Sequence, residues 1–274
     1  MGCCAKPLAH YAADNTNLIS NIDAGQRNPV AVIDALTCGC ATFIMTADFI
    51  ALGLLWYVVF LLSTTCHEAA HALVAKWGGD QTAFRGGQVT LNPWPHIRRE
   101  PFGMVIFPLI TYGLSHWMMG WASAPYDPVW CRQYSRRAAR MALAGPAANF
   151  TLAILAGLAI QVGLHSQFFV APDSIGFSSV VDAAAPGVAE GAAKFLSLLF
   201  SLNILLGSFN LIPLPPLDGF NALPFLMSEN GARHFFDWAD SVRAYSFIGL
   251  ILSWRLFDSM FQPIFGLAIQ TLYR

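Results

Sequence analysis

Residues 49–76 read FIALGLLWYVVFLLSTTCHEAAHALVAK. From Phe49 to Thr65 the run is uncharged and rich in Leu, Val and aromatic residues. Apolar length of this kind is the mark of a helix that crosses a bilayer. The helical pattern continues through His67, Glu68 and His71 to Lys76, and Gly78-Gly79 ends it. The segment therefore predicts a span, about 49–76, with ionisable groups toward its C-terminal end, where lipid makes them expensive.

The composition of the whole chain agrees. Of 274 residues, 55% are hydrophobic and 11% are charged, against about a quarter charged in soluble domains. Mean hydropathy is +0.51. With 15 basic and 16 acidic side chains, the chain lacks the charge for a soluble surface. The balance excludes a disordered chain, a coiled coil and a nucleic-acid binder relying on positive charge. The six cysteines, Cys3, Cys4, Cys38, Cys40, Cys66 and Cys131, form no Cys-x-x-Cys pair and no secreted disulfide pattern. Met1-Gly2-Cys3-Cys4 starts like a lipidation signal, but Lys6 stands where myristoylation wants Ser or Thr. No apolar core follows Lys6, so a signal peptide is not expected.

Along the chain, residues 1–29 form a polar N-terminal arm, and 30–274 a single multi-span domain. Residues 30–47 are apolar but contain Asp34, and are marginal in length for a span. Residues 80–101 are polar, and Gln88-Val89-Thr90-Leu91 within them reads as a short strand. Further spans are predicted at about 141–164, 195–212 and 244–270. The loops 76–101 and 122–140 carry four basic residues each, and 165–187 carries none. The positive-inside rule places both basic loops in the cytoplasm. Segment 102–121, with Gly103, Pro108 and Gly113, is then either a re-entrant hairpin or a tilted helix with one loop breaking the rule.

His67-Glu68-Ala69-Ala70-His71 is the sharpest feature. Residues i and i+4 share one helix face, so two imidazoles can grip one zinc ion. Glu68, beside the first ligand, can reach a zinc-bound water. Seven His and four Glu would give this pattern by chance on the order of 0.003 times per chain. The plainer reading is a polar cluster inside a bundle, but two His and a Glu at membrane depth need a compensating partner, and a metal supplies it. A catalytic zinc needs a third protein ligand and an open position. Asp218 is the candidate, just past a span and a Pro-rich break at Pro213, Pro215 and Pro216. On position alone it is equally a turn aspartate. His10, His165 and His234 are weaker candidates. His96 reads as a residue behind the ligands or along a substrate groove.

These residues together resemble the site-2 protease family of intramembrane zinc metalloproteases, in a short form without a PDZ domain. The resemblance lies in His67-Glu68-x-x-His71 on one apolar helix, with Asn210-x-x-Pro213 and Leu217-Asp218-Gly219 after a later one. Gly79-Asp80-x-Thr82-Ala83, Thr90-Leu91-Asn92-Pro93 with His96, and Gly145-Pro146-x-x-Asn149 add to it. The resemblance implies that His67, His71 and Asp218 ligate one Zn2+ and that Glu68 is the general base. It implies that the Asn149 amide holds substrate backbone or stabilises the oxyanion. Otherwise Asn149 is a packing residue, with Gly145 permitting close helix approach. The strand around Val89 would be an edge on which unwound substrate pairs. Arg98-Arg99-Glu100-Pro101 departs from the family, whose short members place Asp-Pro soon after this histidine, and residues 1–48 find no counterpart.

The fold expected is an all-α polytopic membrane protein. A core of three transmembrane helices carries the zinc site, with flanking helices and a small membrane-associated β element after the zinc helix. Its substrates would be single-span membrane proteins in the bilayer, and nucleic acid is not a partner. The implied location is a prokaryotic cytoplasmic membrane, with the site nearer the cytoplasmic side. A zinc-binding sensor, assembly factor or metal transporter without proteolytic activity is the rival, but a purely structural site has no need of Glu68.

Overall fold

The computed structural model describes residues 47–274. The arm 1–29 and, apart from Ala47, the stretch 30–47 lie outside the described residues. Helix α1 (Ala47–Gly78) is one unbroken element of 32 residues. Asp48 sits in its first turn and Lys76 in its last, each favourable to the helix dipole. Gly79 ends it with φ at 103°. There the amides of Gly79 and Asp80 bond back to the carbonyls of Lys76 and Ala75 (3.1 and 2.9 Å), closing the last turn. Only glycine adopts that conformation cheaply.

Two short helices follow, α2 (Thr82–Arg85) and α3 (Pro93–Arg99). After them come a π-helical turn (Phe102–Ile106), α4 (Phe107–Ser115) and α5 (Pro128–Gln133). Helix α6 (Ser135–His165) and α7 (Val188–Asn210) complete the core. Among the described residues, α1, α6 and α7 are the three helices long and apolar enough to cross a membrane. Helix α6 packs against both of the others. Its buried face is made of small residues, including Ala138, Ala142, Gly145, Ala153, Ala156 and Gly157. Lipid is as apolar as the helices, so close approach and van der Waals contact hold such a core together. After α7 come α8 (Asp218–Ala222), a 3-10 turn (Leu223–Leu226) and α9 (Glu229–Val242). The last helix, α10 (Ser246–Leu272), has 27 residues and packs Phe257 against Ile212 and Leu217.

Segment 102–121 is a hairpin. Helix α4 ends where His116 turns left-handed (φ 59°), and the chain returns extended along it. The Trp121 amide donates to the Gly103 carbonyl (3.1 Å) and the Met119 amide to Thr111 Oγ1 (3.0 Å). At the tip, the Tyr112 hydroxyl reaches the Phe49 carbonyl at the start of α1 (2.9 Å). The two limbs touch at Gly103 and Gly120, where any side chain would strike the opposite limb. Both basic loops thus lie at one end of the bundle. There the Asp127 amide donates to Asp80 (2.8 Å), Gln88 to the Ser123 carbonyl (3.2 Å), and Trp130 to the Gly78 carbonyl (3.1 Å).

Residues 88–91 are not a strand, which corrects the expected β element after the zinc helix. Gly87 (φ 74°) turns the chain, the Gln88 amide bonds back to the Ala83 carbonyl (3.0 Å), and Thr90 Oγ1 accepts from the Asn92 amide (3.1 Å). Asn92 then caps α3 through the Trp94 amide. With donors spent locally, no ladder forms. The strands among the described residues are β1 (Phe169–Val170) and β2 (Asp182–Ala183), paired antiparallel at the opposite end. Their loop turns inward. Phe177 stacks on Trp56 and meets Trp117, Phe261 and Phe265, while Ser197 Oγ accepts from the Val180 and Val181 amides.

Candidate metal centre

One helical turn separates His67 from His71, so both rings leave α1 on the same face, and both are buried. Asp218 comes from 151 residues away, as the first residue of α8. Gly219 makes this approach possible, because a side chain there would collide with the Leu211 carbonyl. The Asp218 Oδ2 lies 3.0 Å from His67 Nε2 and 3.2 Å from His71 Nε2, and the two Nε2 atoms are 3.0 Å apart. The rings stand nearly perpendicular, at 78°.

This donor set fits a metal ion. His71 Nδ1 faces the Met141 carbonyl (2.7 Å), which can only accept, so that nitrogen carries the proton. His67 Nδ1 faces the Asn149 Oδ1 (2.5 Å) and donates likewise. In the neutral rings both Nε2 atoms therefore point lone pairs at each other and at a carboxylate. Three such atoms at about 3 Å repel unless a cation lies among them. Zinc ligands at about 2.0–2.1 Å in a tetrahedron stand about 3.3 Å apart, close to the observed triangle. Among the described residues this is the group of His, Cys, Asp and Glu side chains that could hold a metal.

Gly145, on α6, lines the same space. A Cβ there would fall 2.6 Å from His67 Cε1 and closer still to both Nε2 atoms. Pro146, next in the helix, cannot donate to the carbonyl one turn back and so loosens the ladder beside Met141, whose carbonyl holds His71. Without a metal, a proton on the rings takes the ion's place: burial alone would raise the Asp218 carboxyl, but protonated His71 and His67 facing it would outweigh burial and hold that group well below the usual carboxylate range. Glu68 is buried beside His67, where a carboxylate can serve the open side of a bound ion.

Two expected site residues stand differently. Asn149 is fully buried (0% exposed). Its oxygen is held by His67, and its nitrogen donates to Asn203 Oδ1 (2.8 Å) and to the Ser63 carbonyl (3.4 Å). Both N–H groups are thus engaged inside the protein, none is left to face an oxyanion, and the side chain lies behind His67. His96 is buried, but its Nε2 bonds the Thr90 carbonyl (3.2 Å), holding the loop between α2 and α3. The three-donor cluster does not include it. Sequence reasoning also missed Asn203 and Ser63. The signal was available, since an amide in the middle of an apolar helix is costly without a purpose.

The chain is similar to known proteins over most of its length. The model of peptidase family M50 matches residues 55–253. YwhC of Bacillus subtilis (strain 168), a protein named as a zinc metalloprotease, is 30% identical over 234 residues, covering 78% of this chain and 96% of the relative. Rip2 of Mycolicibacterium smegmatis (strain ATCC 700084 / mc(2)155), named likewise, is 28% identical over 201 residues, covering 71% of this chain and 66% of the relative. No solved structure gives a significant match.

Proposed function

The chain belongs to peptidase family M50, and from that membership we propose that it is an intramembrane zinc metalloprotease of the site-2 type. It would cleave a peptide bond within or near the transmembrane segment of single-span membrane proteins. The observation that carries this reading is the triangle of His67, His71 and Asp218 donors at 3.0–3.2 Å, placed on helices of a membrane bundle with Glu68 alongside.

In the proposed mechanism His67, His71 and Asp218 would hold the zinc. When bound, the ion supplies a Lewis acid and brings the pKa of water toward neutrality. The Glu68 carboxylate accepts the proton of the attacking water and returns it to the leaving amine nitrogen. His71, pinned by the Met141 carbonyl, and His67, pinned by Asn149, keep their Nε2 lone pairs directed inward throughout. Gly145 leaves the space open. A transmembrane substrate helix hides its amides in hydrogen bonds, so it must unwind locally before its carbonyl can react. Gly or Pro in the substrate lowers that cost. The basic loops support a cytoplasmic location for the site's end of the bundle.

The test is reconstitution with a single-span substrate, comparing wild type with Glu68→Gln. The expected result is retained zinc and lost cleavage. Equal cleavage by both proteins would remove Glu68 from the mechanism, and wild-type inactivity on every single-span substrate would favour a zinc-binding protein without proteolytic activity.

A further inference from the structure

Behind the donors lies a line of buried polar side chains, of which Asn149 alone falls in a family motif. Asn203, in the middle of α7, and Ser63, on α1, are both fully buried (0% exposed). Asn203 Nδ2 donates to the Leu199 carbonyl (2.8 Å) and to Ser63 Oγ (2.8 Å). Asn203 Oδ1 accepts from Asn149 Nδ2 (2.8 Å), and Asn149 Oδ1 faces His67 Nδ1 (2.5 Å). Four residues from all three core helices are thus joined in one line ending at a metal donor.

The direction of that line is set by chemistry. The Leu199 carbonyl can only accept, so the NH2 end of Asn203 must face it. The oxygen of Asn203 then points at Asn149, which must present its own NH2 there. The Ser63 carbonyl, which also only accepts, requires the same orientation of Asn149. The Asn149 oxygen is left facing His67, whose Nδ1 must carry the hydrogen. The ring's remaining lone pair is then on Nε2, directed at His71 and Asp218. A ring with the opposite tautomer would place oxygen and nitrogen lone pairs 2.5 Å apart.

We propose that Asn203 and Ser63 are positioning residues for the metal site: they act through Asn149 to fix the tautomer and plane of His67. The inference rests on the zinc reading above. It adds that the backbone of α7, through the Leu199 carbonyl, decides which nitrogen of a ring on α1 is free to bind. Groups that orient a ligand histidine in this way typically account for 10–100-fold in metal affinity. The same line ties α1, α6 and α7 together, so docking of the three helices and readiness of the site are one event.

The experiment measures zinc affinity by chelator competition on the purified full chain in detergent, with melting temperature in parallel. Asn149→Ala should weaken zinc about 10- to 100-fold, and Asn203→Ala about tenfold. In the Asn149→Ala background, Asn203→Ala should add less than about twofold, because its route to His67 is already cut. The visible absorption of the cobalt-loaded protein should shift in both single variants. Unchanged affinity in Asn203→Ala, or losses that multiply in the double variant, would show a general packing role and overturn the proposal. If Asn203→Ala fails to accumulate, Ser63→Ala tests the same line by removing one hydroxyl, with about a threefold loss expected from one neutral hydrogen bond and no loss refuting it. Wild type that binds no zinc would overturn the metal reading itself, whereas zinc-binding wild type with an insensitive Asn203 overturns the relay alone.

Discussion

Gly145→Ala adds one methyl group at the most crowded point of the metal site. The new Cβ would lie 2.6 Å from His67 Cε1 and nearer to the Nε2 atoms of both His67 and His71. Ordinary contact between such atoms is about 3.5 Å, so each ring must give way by about 1 Å. Metal ligation tolerates only about 0.2 Å. In the metal-free protein the rings can turn aside. Bringing them back against the methyl then costs the strain of an overpacked core, about 1–3 kcal/mol. Because two donors are struck at once, the upper end applies, which is about a hundredfold weaker zinc. The assay is chelator competition on purified protein. The control is Gly157→Ala on the same helix, where the nearest neighbours of a Cβ are Phe200 at 3.3 Å and Leu272 at 3.5 Å. It should bind zinc as wild type does. Wild-type zinc affinity in Gly145→Ala would mean that the donors do not converge beside α6, and this geometry of the site would be wrong.

Asp218→Ala removes the only carboxylate of the triangle and should lower zinc occupancy after dialysis; full occupancy would rule Asp218 out as a ligand. Phe177→Ala empties the aromatic cluster of Trp56, Trp117, Phe261 and Phe265 and should destabilise the fold by about 3–5 kcal/mol, read by thermal unfolding in detergent. An unchanged midpoint would mean that the loop does not seat in the bundle in solution. Tyr112→Phe deletes the hydroxyl bond to the Phe49 carbonyl and should cost about 0.5–1.5 kcal/mol in the same assay. Single cysteines at Arg85 and Arg136, placed in a background lacking the native thiols, should label from one face of the membrane; labelling from opposite faces would make the hairpin geometry of 102–121 wrong.

What the sequence disclosed depended on how far each feature reaches. His67 and His71 were legible because their relation is four residues long and the helix fixes it. The long apolar runs were legible because lipid imposes length and composition on a span. Asp218 was a candidate on position and became a ligand only through the resemblance, since an aspartate after Pro-Pro-Leu has many ordinary uses, and its place beside the histidines rests on a distance that no spacing encodes. The strand expected at 88–91 failed because strand propensity describes fit to neighbours. Val89 and Thr90 have no strand beside them among the described residues, and Gly86-Gly87 and the Asn92 cap settle their backbone first. Asn149 shows a subtler gap. The Gly-Pro-x-x-Asn motif locates it near the site, but its partners lie 82 and 54 residues away, and those partners decide its work. With His67 on one side and Asn203 and the Ser63 carbonyl on the other, its N–H groups are engaged inside the protein. The requirement that left Asn203 unnoticed is the one that makes it informative: no side-chain amide persists in the middle of an apolar helix unless its hydrogen bonds are all made inside the protein.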